Sequence, residues 1–368
     1  MEVTGRNLGR SLTEALRARG SEVVALSPGD EALREWTAHQ LQDHIVRMAL
    51  GLSHEGLQKG DRVLLASGAN LELFMIQVAV WALGAVTVHL DDGLSEAQMG
   101  EALGRVKARW MVLESRQTLG ALELMNGEAV SQATLVMRQQ GDAERQASRV
   151  LSVSGLLELG RKRRLYDLNE LAQRMYQVPE EARAAIVYWP GEGLEAAALS
   201  HHDLMGAQAP LPVGWGVKVG DRALVTTPPG SRVGVIASLR LLAHRVALVF
   251  PEPDAPLHRL TRQARPHGVV GRSSDLGRLW EQLHSWRQSE RSVRGAFMRG
   301  LGWLGRKVDE KDEEEGAPTL EWLLEQGELL GLAKDLGEKL RWVWCLEGEL
   351  ASPLRAQFEH AGAREFVS

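Results

Sequence analysis

Gly191, Glu192 and Gly193 follow Tyr188, Trp189 and Pro190 in a run from Ala185 to Leu204 that reads as strand, glycine-bearing loop, short strand and capped helix start. Glycine lets backbone N–H groups come close to an anion, so a loop of this outline is where a phosphate would be cradled. Yet the stretch from Trp189 to Leu199 carries no Lys, Ser or Thr. Glu192 adds negative charge, which repels a polyphosphate, and Pro190 removes a donor N–H. Tyr188, Gly191, Glu192 and Gly193 therefore read as a degenerate phosphate loop, and no residue takes a catalytic role.

Other chemistry-bearing residues have plainer readings. Ser200-His-His-Asp203 could suggest a metal site or a catalytic triad, but adjacent histidines point apart on a helix and no second cluster has ligand spacing. Ser200 as N-cap with Asp203 at the third helical position explains the same residues. Asp91-Asp92 at a strand end could hold a cation; the default is a charged loop. Cys345, the sole cysteine, excludes an internal disulfide and reads as a small buried residue beside Trp342 and Trp344. No metal site is assigned.

The elements that would position these residues alternate. Of the 368 residues, 44% are hydrophobic and 25% charged, ordinary for a soluble globular chain, and the formal net charge of −5 argues against nucleic acid as a partner. The polar start and the single cysteine fit the cytoplasm. Residues 1–30 read as a weakly specified lead-in. Thr37-Ala-His-Gln40 forms a capping box that opens a helix; Asp61–Ala66 is a strand, 70–83 a helix and Ala85–Leu90 a strand. Ser95–Lys107 is a further helix and Arg109–Leu113 a further strand. Leu73–Leu90 holds no Asp, Glu, Lys or Arg, but β-branched Val86, Thr87 and Val88 divide it into a buried helix and a buried strand turning at Gly84.

A second copy of this pattern follows. Gly56-Leu-Gln-Lys-Gly-Asp-Arg-Val-Leu-Leu65 is echoed by Gly216-Val-Lys-Val-Gly-Asp-Arg-Ala-Leu-Val225, and Gly60 leads to Gly84 over the same interval as Gly220 leads to His244. Strands Val86–Leu90 and Val246–Phe250 come next. Residues 115–183 read as irregular and polar, with Arg161-Lys-Arg-Arg164 a solvated helix end or turn. A basic helix spans about 276–307, with Trp280, Trp286 and Trp303, and either packs on its parent domain or lies on a membrane surface. The acidic run Asp309–Glu315 reads as a loop, Leu320–Leu330 as a helix and Leu340–Leu346 as a final strand. The division is 1–30 lead-in, 31–184 first α/β subdomain, 185–275 second α/β subdomain, and 276–368 helical insertion and final strand.

In order and spacing these segments resemble the adenylate-forming (AMP-binding) superfamily, most closely the long-chain acyl-CoA synthetases. The resemblance rests on Gly56-Leu-Gln-Lys-Gly-Asp-Arg-Val63, Asn70 with Trp81-Ala-Leu-Gly-Ala-Val86, Ile186-Val-Tyr188 with Leu199-Ser-His-His-Asp-Leu204, and Gly337-Glu-Lys-Leu-Arg341. It implies an α/β fold of two related parallel βαβ subdomains, as in the N-terminal domain of those enzymes, with the C-terminal domain absent. It also implies a reaction in which ATP activates a carboxylic acid to an acyl-adenylate before transfer to coenzyme A. The departures fall on that chemistry. The family's Tyr-Thr-Ser-Gly-Thr-Thr-Gly loop keeps Tyr188 and Gly191, while Trp189, Pro190 and Glu192 replace hydroxyl residues and Ala196–Ala198 stand where Pro-Lys-Gly would be. The family's Leu-Pro-Leu-x-His segment falls on Thr227-Pro-Pro-Gly-Ser231, without the His. Its Ser-Gly-Gly-Ala-Pro turn falls on Cys345-Leu-Glu-Gly-Glu349, and its later motifs belong beyond Ser368.

The expected function is an acyl-CoA-synthetase-like protein that has lost ATP-dependent adenylation and acts as a binding, scaffold or regulatory pseudoenzyme. Its partners would be an acyl ligand, another protein or a membrane surface, peripherally from the cytoplasm, with no cofactor. Two alternatives stand beside it. One is an acid–thiol ligase using ATP, Mg and coenzyme A and completed by a separate subunit. The other is a membrane-surface protein using helix 276–307.

Overall fold

The computed structural model describes residues 7–29, 32–137, 150–206, 216–228, 231–252, 256–286, 336, 338–346, 350, 352–360 and 363–367. Among them, two mixed, mostly parallel sheets of seven strands each enclose a shared layer of helices. The first sheet contains β3 (Arg62–Ala66), β4 (Val86–Leu90), β5 (Trp110–Leu113), β6 (Thr134–Met137), β7 (Val150–Ser152), β8 (Arg183–Pro190) and β9 (Leu194–Ser200), in the order β7-β6-β5-β3-β4-β8-β9. The second contains β1 (Val23–Ser27), β2 (Arg34–Thr37), β10 (Arg222–Val225), β11 (Ala247–Val249), β12 (Gly268–Gly271), β13 (Trp342–Cys345) and β14 (Glu365–Val367), in the order β14-β13-β12-β10-β11-β1-β2.

The two orders are the same order. Each ends in an antiparallel pair, β8-β9 in one sheet and β1-β2 in the other. The N-terminal hairpin thus gives the second sheet what β8-β9 gives the first. Residues 1–30 are accordingly more than the expected lead-in, since α1 (Leu8–Arg19) and β1 both belong to the core. Short apolar strands do not reveal which sheet they join, because that depends on contacts far along the chain.

The repeated Gly-Asp-Arg has a structural job. Gly60 and Gly220 sit at φ +83° and +84°, a left-handed turn that favours glycine. Asp61 and Asp221 accept the N–H of Gln58 and Lys218, each at 2.9 Å. Arg62 and Arg222 reach forward to the carbonyls of Val106 and Ala264, at 2.7 and 3.0 Å, at the ends of α4 (Glu96–Val106) and α9 (Leu257–Ala264). One detail differs from the sequence reading: Gly60 N–H meets the carbonyl of Gly84, but Gly220 N–H meets that of Arg245, so Arg245 rather than His244 is the counterpart of Gly84.

Between the sheets lie α1, α2 (Ala38–His54), α3 (Leu71–Ala82), α6 (Val153–Tyr176), α7 (His201–Gly206) and α8 (Arg232–Ala243), sharing one apolar core with both inner sheet faces. Outside the first sheet are α4 and α5 (Arg116–Ser131). Outside the second are α9, α10 (residues 273–286) and α11 (Ser352–His360). Thr37 and Ser95 both make full capping boxes. Residues 115–183 are not irregular: α5, β6, β7 and the long α6 fill most of the described part. The basic run lies inside α6, where Arg161 pairs with Glu158 and Arg163 with Asp167, each at 2.7 Å, and Arg164 pairs with Asp43. Solvated i,i+3 and i,i+4 pairs let such a polar stretch stay helical. Of the expected helix 276–307, residues up to 286 are helical; the remainder, with Asp309–Glu315 and Leu320–Leu330, lies outside the described residues. No described helix is long and apolar enough to cross a membrane.

Candidate functional site

The carboxyl ends of β3, β4, β10, β11 and β12 face one another across a cleft of about 530 Å³. β3, β4, β10, β11 and β12 are each followed by a helix and run parallel to their neighbours in this group within each sheet, which leaves at their carboxyl ends a crevice where ligands commonly bind. Leu65, Leu73, Leu90, Leu257 and Leu279 make the apolar part of the wall. Ser67, Thr226 and Ser231 add hydroxyls, and Asp91, Asp92, Glu252, Arg272, Asp275 and Arg278 form the charged rim.

That rim joins the two sheets. The Arg272 guanidinium donates to Asp92 Oδ1 and Oδ2 at 2.7 and 3.0 Å, to Asp91 at 3.1 Å, and to both oxygens of Asp275 at 2.9 and 3.3 Å. Arg278 bridges Asp92 and Asp275 at 3.0 and 2.5 Å. Thr227 Oγ1 donates to Asp275 at 2.5 Å while accepting the Arg272 N–H at 2.9 Å. Burial works to raise the Asp92 carboxyl, but hydrogen bonds from Arg272 and Arg278 prevail and hold it at about 2. Burial works to lower Arg272, and the bonds to Asp275 and Asp92 outweigh it, so its pKa rises. Asp91-Asp92 thus faces a cation, supplied by the protein's own Arg272.

On the floor of the cleft His89 is buried, and burial alone pushes its imidazole down to about 3, so the ring is neutral. Its Nε2 has no hydrogen-bond partner among the described residues.

The four residues read from sequence as a phosphate loop lie elsewhere. Tyr188 is buried against the outer face of the first sheet, in the core shared with α4 and α5, away from the cleft wall. Gly191, Glu192 and Gly193 form the tip of the β8-β9 hairpin. There the Gly191 N–H donates to the Gly193 carbonyl at 2.9 Å, and a β-carbon at Gly191 would collide with the Glu195 carboxylate, which lies over the turn. Gln98 holds the Gly193 carbonyl at 3.2 Å. The tip approaches the cleft only through the 91–93 loop, since Asp91 N–H donates to the Tyr188 carbonyl at 2.9 Å and Gly93 lies beside Pro190.

Ser200 and Asp203 form the expected cap: Asp203 N–H donates to Ser200 Oγ at 3.0 Å, and Ser200 N–H to the Asp203 carboxylate at 2.8 Å. His201 is buried and held at about 4 by desolvation, its Nδ1 accepting the Leu8 N–H at 3.3 Å. Cys345 is buried. Among the described residues no cluster of three or more His, Cys, Asp or Glu could hold a metal ion.

The AMP-binding enzyme family matches residues 13–367, nearly the whole chain. The chain belongs to the AMP-binding family. Among curated members of this family, it is 25% identical over 263 residues to the long-chain-fatty-acid–CoA ligase FadD15 of Mycobacterium bovis, covering 68% of this chain and 40% of that one. It is 32% identical over 88 residues to the acyl-CoA ligase sidI of Aspergillus fumigatus, covering 24% of this chain and 15% of that one. The match thus spans less than half the length of each of these two ligases. The fold superposes on the anthranilate CoA ligase AuaEII, solved in complex with anthranoyl-AMP, with a TM-score of 0.67, 14% identity, and coverage of 100% of this chain and 60% of that one. It also superposes on the A domain of the carboxylic acid reductase from Segniliparus rugosus, solved with AMP and a co-purified carboxylic acid (TM-score 0.62, 12% identity, 98% of this chain and 60% of that one).

Sequence reading missed Arg272, Asp275, Arg278 and His89. The signal was present for one of them: His89 is a polar residue inside the uncharged run Leu73–Leu90.

Proposed function

We propose that this AMP-binding family member holds a carboxylic acid in the cleft between its sheets and does not activate it with ATP. The observation that carries this reading is the hairpin tip. Its first glycine spends its N–H on Gly193, Pro190 has no N–H to offer, and Glu192 and Glu195 bring two carboxylates and no cation to the turn. Adenylation depends on donors and positive charge aimed at developing negative charge, whereas an acyl chain needs mainly apolar walls. The residues at the tip do not fit ATP. A binding, scaffold or regulatory role follows, with the cleft as its ligand site.

Isothermal titration tests this directly: ATP with magnesium should give no saturable heat, while fatty acids should bind. Acid-dependent exchange of pyrophosphate into ATP would overturn it. The names of the relatives favour a second reading, ligation completed by another polypeptide. That reading requires thioester formation to appear when a ligase C-terminal domain is added in trans.

A further inference from the structure

Behind the cleft floor lie polar groups that the hairpin and the rim do not explain. His89 Nε2 and both amide atoms of Gln77 are buried and have no hydrogen-bond partner among the described residues. They come from different elements, and the packing of α3 on β4 brings them together. Trp81 Nε1 donates to Thr87 Oγ1 at 3.3 Å, which fixes the register of the helix against the strand. One turn back from Trp81 on the same helix face is Gln77, and one turn further is Leu73, a wall of the cleft. Two residues forward from Thr87 on the same sheet face is His89, also a wall of the cleft. Helix and strand run in opposite senses in a βαβ unit, so these steps move the same way, toward the cleft. The register thus puts Gln77 at the level of His89, behind the residues that line the cleft.

The second copy carries an apolar residue where the first carries His89. The matching strand ladder, Val86 N–H to the Asp61 carbonyl and Ala247 N–H to the Asp221 carbonyl, makes Phe250 the counterpart of His89. An apolar ring fits there and stacks on Phe74 with centroids 5.9 Å apart. In the same frame, set by the N-caps Asn70 and Ser231, the counterpart of Gln77 is Ser238, which is also buried and has no hydrogen-bond partner among the described residues. The contrast between the copies therefore falls on His89, whose imidazole costs stability that a phenylalanine would not unless a partner satisfies it.

We infer that Gln77 and His89 receive the hydrogen-bonding end of the ligand's buried part, so that the cleft selects acyl chains ending in a hydroxyl over plain alkyl chains. The inference rests on the reading of the cleft as an acid-binding site. A terminal hydroxyl both donates and accepts, so it can use neutral imidazole and amide together. Sites built to hydrogen-bond a substrate hydroxyl reject the analogue lacking it, because the protein's own groups are then left unpaired.

The test is titration of the full chain with octanoic, decanoic and dodecanoic acids, each against its ω-hydroxy counterpart. The expected result is a preference of about tenfold or more for the hydroxy acid at the best-fitting length. His89→Phe and Gln77→Leu, made separately, should each remove that preference. In the unaltered protein, the imidazole nitrogen resonances of His89 should shift with the hydroxy acid and not with the alkyl acid. Alkyl acids binding as tightly at every length, or a preference surviving both substitutions, would overturn the inference and leave acid binding standing. Failure of every acid to bind would overturn both.

Discussion

The two sheets share a frame down to single hydrogen bonds and differ where that frame ends. Ser67 and Thr227 occupy the same place, one residue past Ala66 and Thr226. In the first sheet Ser67 Oγ donates to Glu114, the residue after β5. In the second, Thr227 Oγ1 accepts from Arg272, the residue after β12, and donates to Asp275. The interiors also trade bulk. Trp110 pairs across its strand with Thr134, whereas Gly268 pairs with Trp342, whose ring fills the space a β-carbon at Gly268 would take. Backbone turns and strand order can be duplicated because they depend on a few residues such as Gly-Asp-Arg. Strand ends carry no ladder to maintain, so they are free to differ in charge, and the cleft forms between ends of unlike charge.

The largest test of that difference is Arg272→Ala. Removing this buried guanidinium strands Asp275 and part of Asp92, and should cost about 3–5 kcal/mol in denaturant unfolding. Glu114→Ala, its counterpart across the cleft, should cost no more than about 1.5 kcal/mol. Equal losses would mean the rim does not join the sheets.

Gly268→Ala should cost about 1–3 kcal/mol by overpacking against Trp342. In a double-mutant cycle with Trp342→Leu the two changes should be strongly non-additive; simple additivity would show that the glycine is not there for the ring.

Gly60→Ala and Gly220→Ala meet no neighbouring atom within 4 Å, so only the left-handed backbone is penalised. Each should lower stability by about 1–2 kcal/mol, and by the same amount. Unequal melting shifts would argue that the repeat is only approximate.

The smallest effect appears only in acid. His89 titrates at about 3 when folded against 6.5 when exposed, so between those values the unfolded chain binds the extra proton. The stability tied to the neutral ring is whole above pH 6.5 and is lost as pH falls toward 3. His89→Phe should therefore flatten that part of the stability–pH curve. Asp92 works lower, its stabilisation present above 3.8 and lost as pH falls through about 2. An unchanged curve in His89→Phe would place the imidazole in contact with water.

Periodicity, caps and turn residues determined the local frame from sequence alone. Thr37 as a cap, the helix and strand divided at Gly84, and the doubled Gly-Asp-Arg unit are all interactions between near neighbours, which leave their mark in residue spacing. The glycine-bearing turn between two strands was legible for the same reason, since Pro190, Gly191 and Glu192 are adjacent. Tertiary structure alone decided that the N-terminal hairpin completes the second sheet, that Tyr188 turns away from the cleft, and that Asp91-Asp92 meets Arg272. Asp92 and Arg272 are 180 positions apart in the chain, and no local preference encodes such a meeting. It follows from two sheets packing on one layer of helices, which brings their strand ends face to face.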